Sequence, residues 1–351
     1  MQIDDNIKGQ KGQGKVLCDL SSTGKNRNWA ERKMANEVLA CAYDELDPAK
    51  AIRLRQCSTV LTFREYEDGQ KRLDSMNSCR VRLCPICSWR RSLKCFYNTE
   101  RVMERIDSSG KYGYIFLTLT LRNCLPCYLN ETLDAVFEAW NRFSQLKRVK
   151  GSVKGWYRGL EITHDTDEFI TPERFARSPE YFRARGLSVG DRNPNFNTYH
   201  PHLHCIFVVR KSYFSSRYYI SKAEFAELWR QSLRINYEPI VDVKKVRGDF
   251  KKAVAEISKY AAKSGDYVVP SDWDLTLDSV RTLDAALARR RLIAYGGIMK
   301  QAFKELRLDD AESGDLVGVG EKEVEGSEYK LVSYFWNSGY RQYIAPADDR
   351  G

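Results

Sequence analysis

The chain contains four histidines, and three of them stand within His200-Pro201-His202-Leu203-His204. Directly after them comes Cys205-Ile206-Phe207-Val208-Val209, β-branched and aromatic, the composition of a buried strand. Successive side chains of a strand point to opposite faces. His202 and His204 therefore project together, while Leu203 and Cys205 turn the other way. Two imidazoles on one sheet face suit a divalent metal ion. A third ligand is offered by a strand predicted over 155–163, in which Glu161 and Thr163 share a face and Leu160 and Ile162 take the other. A carboxylate in mid-strand is costly to bury unpaired, and facing the same ion as His202 and His204 would remove that cost. The bland alternative is a solvated edge position. His164 reads as a strand-end surface residue.

A second group of metal-ligand types is Cys79-Arg80-Val81-Arg82-Leu83-Cys84-Pro85-Ile86-Cys87-Ser88-Trp89-Arg90-Arg91. Closely spaced thiolates can share one tetrahedral zinc ion, and a fourth ligand is then required. Cys57, on a strand expected over 57–66, is one candidate, and the Cys124/Cys127 pair is another. Arg80, Arg82, Arg90 and Arg91 surround this knuckle as candidate contacts for an anionic partner.

The third constellation lies on a helix expected over Asp249–Lys263. Phe250, Val254, Ile257 and Ala261 form its apolar stripe, and Glu256, Lys259, Tyr260 and Lys263 share a neighbouring face. Such a face is usually a wet surface. Beside a metal site it can instead supply a nucleophile, a base and phosphate clamps.

The elements that must position these groups follow from periodicity. Helices are expected from Trp29 to Leu46, with Met34, Val38, Leu39 and Ala42 inward. Others are expected from Trp89 to Ile106, from Glu131 to Lys147, from Ser221 (a cap, with Glu224 in capping-box position) to Ile235, and over most of Leu283–Leu306. Tyr112–Leu121 is the clearest strand; Val241–Val246 is shorter, and Tyr329–Ile344 is aromatic enough for a closing hairpin. The polar stretch from Asp165 to Thr198 reads as an insertion or long loop. Gly9-Gln10-Lys11-Gly12-Gln13-Gly14-Lys15 mimics a phosphate-binding loop, but Val16 stands where a magnesium-binding hydroxyl is needed, which argues against an ATPase. The segment to Asn26 reads as a flexible basic tail.

At 351 residues, 42% hydrophobic and 12% aromatic, the composition is that of a folded globular protein. A net charge of +10 and a pI near 9.0 favour an anionic partner, nucleic acid first. No apolar run is long enough to cross a bilayer and no signal-peptide pattern opens the sequence, so a cytoplasmic protein without membrane contact is expected. Ten cysteines there suggest metal ligands and buried thiols rather than a disulfide framework.

Together these stretches resemble the rolling-circle replication initiators of small Gram-positive plasmids, in the single-tyrosine branch of the HUH endonucleases. The likeness covers roughly 51–344. It is carried by Cys79-x4-Cys84-Pro-x-Cys87-Ser-Trp-Arg-Arg, Phe116-Leu-Thr-Leu-Thr120, Leu160-Glu-Ile-Thr163, Tyr199-His-Pro-His-Leu-His204 and Glu256-Ile-Ser-Lys-Tyr260-Ala-Ala-Lys263. Tyr295-Gly-Gly-Ile-x-Lys300 and Glu305-Leu-x-Leu-Asp-Asp310 look similar too. The resemblance implies that His202 and His204 are the metal pair, completed by Glu161. It makes Tyr260 the nucleophile, Glu256 the acid one helical turn before it, and Cys57 the fourth zinc ligand with Cys79, Cys84 and Cys87. The Cys124/Cys127 pair, the 165–198 stretch and the first fifty residues fall outside the pattern.

The expected activity is then cutting of one strand at a double-strand origin, leaving a 5′-phosphotyrosine and a free 3′-OH primer, with a second cleavage at termination. Imidazole with hard oxygen ligation suits Mg²⁺ or Mn²⁺, and Lys259 or Lys263 would favour the ionised phenol of Tyr260. The implied partners are origin DNA, a host superfamily-1 helicase, a single-strand binding protein and a replicative polymerase, with room for a homodimer. The implied fold is α+β, a central antiparallel sheet flanked by helices. The expected division is a tail and helix over 1–50, a zinc knuckle and helix over 51–110, a catalytic core over 111–265 and an accessory region over 266–351. Two other classes stand beside this one: a non-enzymatic zinc-dependent DNA-binding regulator, and a metal-dependent hydrolase of small phosphoesters or amides.

Overall fold

The computed structural model describes residues 14–21, 24–246, 251–258, 267–319 and 328–347. The first strands in chain order are β1 (Lys15–Val16), β2 (Val60–Tyr66), β3 (Lys71–Met76), β4 (Tyr112–Thr120) and β5 (Val153–Asp165). Then come β6 (Thr198–Arg210), β7 (Val241–Lys245), β8 (Ile293–Gly296), β9 (Tyr329–Asn337) and β10 (Gln342–Ala345). They form two antiparallel sheets, ordered β1-β10-β9-β2-β3 and β7-β4-β6-β5-β8. With the helices between them, the class is α+β as expected.

The chain divides into two compact units, Met1–Arg90 with Asp315–Gly351, and Arg91–Gly314. This differs from the four consecutive stretches read from the sequence. The C-terminal hairpin returns to the first unit because β9 pairs along the whole of β2, from Tyr66↔Tyr329 to Val60↔Phe335. In that unit Lys15 and Val16, expected in a flexible tail, add a short strand to β10. The helix Trp29–Leu46 has the expected bounds but a different inner face. Trp29, Lys33, Asn36, Leu39, Ala40, Ala42 and Tyr43 are buried, whereas Val38 is exposed. Two polar side chains turn inward because carbonyls there need donors. Lys33 Nζ donates to the Arg55 and Cys57 carbonyls, and Asn36 Nδ2 to that of Leu54.

The second unit is built around β5 and β6, the two longest strands. Alternation sends Trp156 and Phe207 to one face of the sheet, where Trp140, Phe143, Phe225 and Trp229 form an aromatic core under the helices Leu129–Gln145 and Lys222–Leu233. Ser221 caps the latter helix as read, accepting from Glu224 N. Tyr157, Ile206 and Val208 turn to the opposite face, in one cluster with Cys95 and Met103 of the helix Pro85–Asp107 and with Met299 and Ala302. Val254, the described member of the stripe on the helix Lys251–Ile257, is buried in this same cluster. Phe250 and Ala261 lie outside the described residues.

Most of Leu283–Leu306 is helical as expected, but the interruption is a strand and not only the Gly296-Gly297 pair. A helix runs from Trp273 to Leu287, β8 follows, and a second helix occupies Gly297–Glu305. β8 exists because it pairs with β5, Tyr157 opposite Tyr295, a tertiary contact with no local signature. The two glycines after Tyr295 allow close approach. Gly297 has φ +56°, and a Cβ there would collide with the Lys154 carbonyl; one at Gly296 would enter the Trp156 ring. The 165–198 stretch holds two short helices, Pro172–Arg177 and Pro179–Arg183, each with proline in its first turn.

Candidate functional site

The β5–β6 register sets Glu161 directly opposite His202, and Gly159 opposite His204. The side-chain parity of both strands then brings all three groups to one face. His204 Nε2 lies 2.8 Å and His202 Nε2 3.2 Å from the same oxygen, Glu161 Oε2. Glu161 is only 6% exposed. A carboxylate this deep needs compensation, and two ring nitrogens and an oxygen converging within 4.8 Å supply the donor set of a divalent cation site. The residues fit the ion: two imidazoles and one hard oxygen, on the sheet face where the helix Lys251–Ile257 packs on β6.

Each imidazole is also held from behind. Thr118 stands opposite His204 on β4, and its Oγ1 lies 3.2 Å from His204 Nδ1. The Phe116 ring sits 5.6 Å from the same imidazole. His202 Nδ1 lies 3.1 Å from the His200 carbonyl oxygen. Partners of this kind fix which nitrogen faces the ion. Burial, with the neighbouring His202 adding to it, lowers the pKa of His200 to about 4, so that ring stays neutral beside the site. Thr118 belongs to the Phe116–Thr120 run singled out in the sequence, but its task was not legible there.

His164 is a correction. It is buried, not on the surface, and stacks on Tyr199 with centroids 4.1 Å apart. Its Nε2 lies 2.9 Å from Asn197 Oδ1 and its Nδ1 3.2 Å from Ser279 Oγ. It projects to the other face of β5 from Glu161, and so takes no part in the metal group. Lys259, Tyr260 and Lys263 lie outside the described residues, as does the side chain of Glu256, whose backbone belongs to the helix Lys251–Ile257.

The cysteines form the second centre. Cys57 Sγ lies 3.7 Å from the sulfurs of both Cys84 and Cys87, and Cys79 Sγ lies 3.8 Å from that of Cys87. Ligands about 2.3 Å from a tetrahedral zinc are separated by about 3.8 Å, so these sulfur–sulfur distances match the edges of such a tetrahedron, with the sulfurs at its corners. Cys124 instead bridges to Tyr199, and Cys127 is exposed. Hydrogen bonds from Cys79 and the other two thiols hold Cys57 well below the usual thiol range, whereas burial pushes Cys84 up. Beneath them Lys33 is fully buried, and its ammonium on the Cys57 carbonyl places positive charge next to the thiols. A lysine inside a helical stripe gave no hint of that task.

The four arginines of the knuckle separate. Arg80 is exposed and Arg82 half-buried, but Arg90 is 2% exposed and Arg91 also buried. Arg90 donates to the Leu316 and Val317 carbonyls. Burial therefore removes Arg90 and Arg91 from direct phosphate contact; they serve the fold.

Comparison with known proteins agrees with this geometry. A family model described as Replication protein matches residues 70–344. Protein rep of Bacillus amyloliquefaciens is 37% identical over 94% of this chain and 97% of its own length. Protein rep of Lactiplantibacillus plantarum is 33% identical over 92% and 97%, and that of Streptococcus pneumoniae serotype 2 is 32% identical over 95% and 97%. No solved structure matches. The family match covers most of the chain and takes in Cys79, Cys84, Cys87 and the Glu161–His202–His204 group, and the chain belongs to the replication protein family.

Proposed function

We propose that the protein initiates rolling-circle replication of a plasmid by cutting one strand of the origin through a metal-dependent tyrosine transesterification. The observation that carries this reading is the convergence of Glu161, His202 and His204 on the sheet face where the helix leading to Tyr260 packs. A divalent ion of the Mg²⁺ or Mn²⁺ type held there would neutralise and polarise the scissile phosphate. Tyr260 attacks the phosphorus through its phenolic oxygen. The P–O3′ bond breaks, the tyrosine becomes linked to the 5′-phosphate, and the strand end leaves as a 3′-hydroxyl able to prime synthesis. Lys259 and Lys263, one residue before and three after it in the sequence, would favour the phenolate by their charge. Thr118 and the His200 carbonyl keep the two imidazoles turned toward the ion. The Cys57–Cys79–Cys84–Cys87 group holds zinc as a structural centre. By family resemblance the partners are a helicase, a single-strand binding protein and a polymerase of the host.

A DNA-binding regulator without catalysis and a small-molecule hydrolase are the competing classes, and one experiment separates all three. The protein is incubated with Mn²⁺ and supercoiled plasmid carrying its gene and flanking DNA, and a denaturing gel is read for protein bound covalently to DNA. Adduct is expected with the native chain. It should be absent with Tyr260→Phe, His202→Ala or His204→Ala, while DNA binding persists in all three. Binding without any adduct would leave the regulator; no interaction with DNA at all would leave the hydrolase.

A further inference from the structure

The helix Lys251–Ile257 is seated by polar contacts that the cutting chemistry does not use. Lys251, Val254 and Ser258 fall at i, i+3 and i+7, the spacing of one helical face. Ser258 N still bonds to the Val254 carbonyl at 3.0 Å, so that spacing holds to the end of the face. Lys251 Nζ lies 3.1 Å from Glu100 Oε1, and Val254 is buried in one cluster with Ile206 and Val208. Ser258 is 5% exposed. Its hydroxyl donates to the Val254 carbonyl at 2.7 Å and is a hydrogen-bond partner of the Cys95 thiol. Cys95 Sγ in turn lies 3.2 Å from Tyr157 Oη, and both residues are fully buried.

Cys95 and Glu100 stand on the helix Pro85–Asp107, and Tyr157 on β5. Tyr157 shares its face of β5 with Glu161, four residues further on and about 13 Å along the strand. The thiol thus joins the strand of the metal carboxylate to the helix that leads to Tyr260. Burial pushes the Cys95 thiol up, so it stays protonated and the bridge is one of neutral groups. The cluster around it is apolar. Apolar contacts are non-directional and let a helix slide or roll. Buried hydrogen bonds hold at one register and leave polar atoms unsatisfied at any other. Three polar side chains in a space that apolar ones could fill therefore serve register rather than burial.

We propose that Cys95, with Tyr157 and Ser258, is a positioning residue. The buried thiol fixes the register of the helix leading to Tyr260 against the sheet face that holds the Glu161–His202–His204 group. Its consequence for cutting rests on the replication-initiator reading above; the contacts stand without it.

The test uses the full chain, Mn²⁺ and supercoiled plasmid carrying the gene and its flanking DNA, with protein in excess so that a single turnover is read. Tyr157→Phe and Ser258→Ala each delete one hydroxyl and little else. Covalent adduct should form about 10- to 100-fold more slowly in both, the cost of displacing a reacting group by an ångström or less. The Kd for plasmid and the Mn²⁺ affinity should stay native. Cys95→Val, which fills the space without a hydrogen bond, should be slow as well, and Cys95→Ser, which keeps a donor and an acceptor, should react near the native rate. Hydrogen exchange supplies a readout besides activity: amides of 251–258 should exchange faster in the slow variants, and those of β5 and β6 at native rates. If Tyr157→Phe fails to melt like the native chain, Ser258→Ala decides alone. Native adduct rates in the folded variants would overturn the proposal. So would slow adduct formation together with faster exchange throughout β5 and β6 and weakened Mn²⁺ binding, the mark of a general loss of packing. Failure of the cutting reading looks different: the native chain gives no adduct, and exchange at 251–258 alone then decides whether the thiol seats the helix.

Discussion

His204 is gripped from both ends, by Glu161 at Nε2 and Thr118 at Nδ1. Removing the outer grip without changing the shape of the site isolates what it does. Thr118→Val keeps the volume and loses the hydroxyl, so the imidazole can turn or change tautomer. Mn²⁺ affinity, read by titration calorimetry or from the free-ion EPR signal, should fall by roughly 10- to 100-fold, the usual weight of such outer partners. Thr118→Ser should stay near the native value. Equal affinities for all three proteins would mean that the hydroxyl only fills space. At this scale the ligands themselves were legible, because a period of two puts His202 and His204 on one face and a mid-strand glutamate needs a reason. Thr118 was not. Its partner is 86 residues away, and only the β4–β6 register joins them.

Among the elements, the cysteine knuckle is the one proposed to depend on an ion. Four buried sulfurs stand within 4.8 Å of one another with a buried lysine behind them, an arrangement that a tetrahedral ion would satisfy. Zinc binding should therefore supply on the order of 10 kcal/mol toward folding it. Freshly purified protein should contain one zinc per chain by elemental analysis, and Cys57→Ser or Cys84→Ser should lose both the ion and the cooperative melting of the first unit. Exchanging Cys124 and Cys127 for serine should leave the zinc content untouched; its loss there would move the fourth ligand. Zinc-free native protein would end the idea. The Cys79–Cys84–Cys87 spacing announced this element, since ligands close in sequence are close in space. β8 and the inner face of Trp29–Leu46 were hidden, because a distant strand edge decides the first and distant carbonyls decide the second.

Over the whole molecule, the hairpin at 329–345 closes a sheet begun by β2, and no local pattern could have announced a pairing between residues so far apart. The order of events in a replication round, by contrast, can be argued from the sequence of one helix. On the proposed mechanism, initiation would consume Tyr260, which would stay joined to the 5′ end while a full strand is displaced. Termination requires a second cut with that nucleophile occupied. An enzyme with two tyrosines would use the other; here the residue four positions earlier in the sequence is Glu256. A carboxylate there can act as general base for water, making the second cut a hydrolysis. Glu256→Ala should therefore still cut the origin and form the covalent adduct at a rate near native. It should release closed single-stranded circles at least about tenfold less efficiently, in line with loss of a general base. Glu256→Tyr should recover release by transesterification, since it restores a second nucleophile one turn away. The measurement is the yield of closed circles per adduct formed in a replication extract. Native yield from Glu256→Ala would make this residue an ordinary surface acid and require the water to be activated elsewhere.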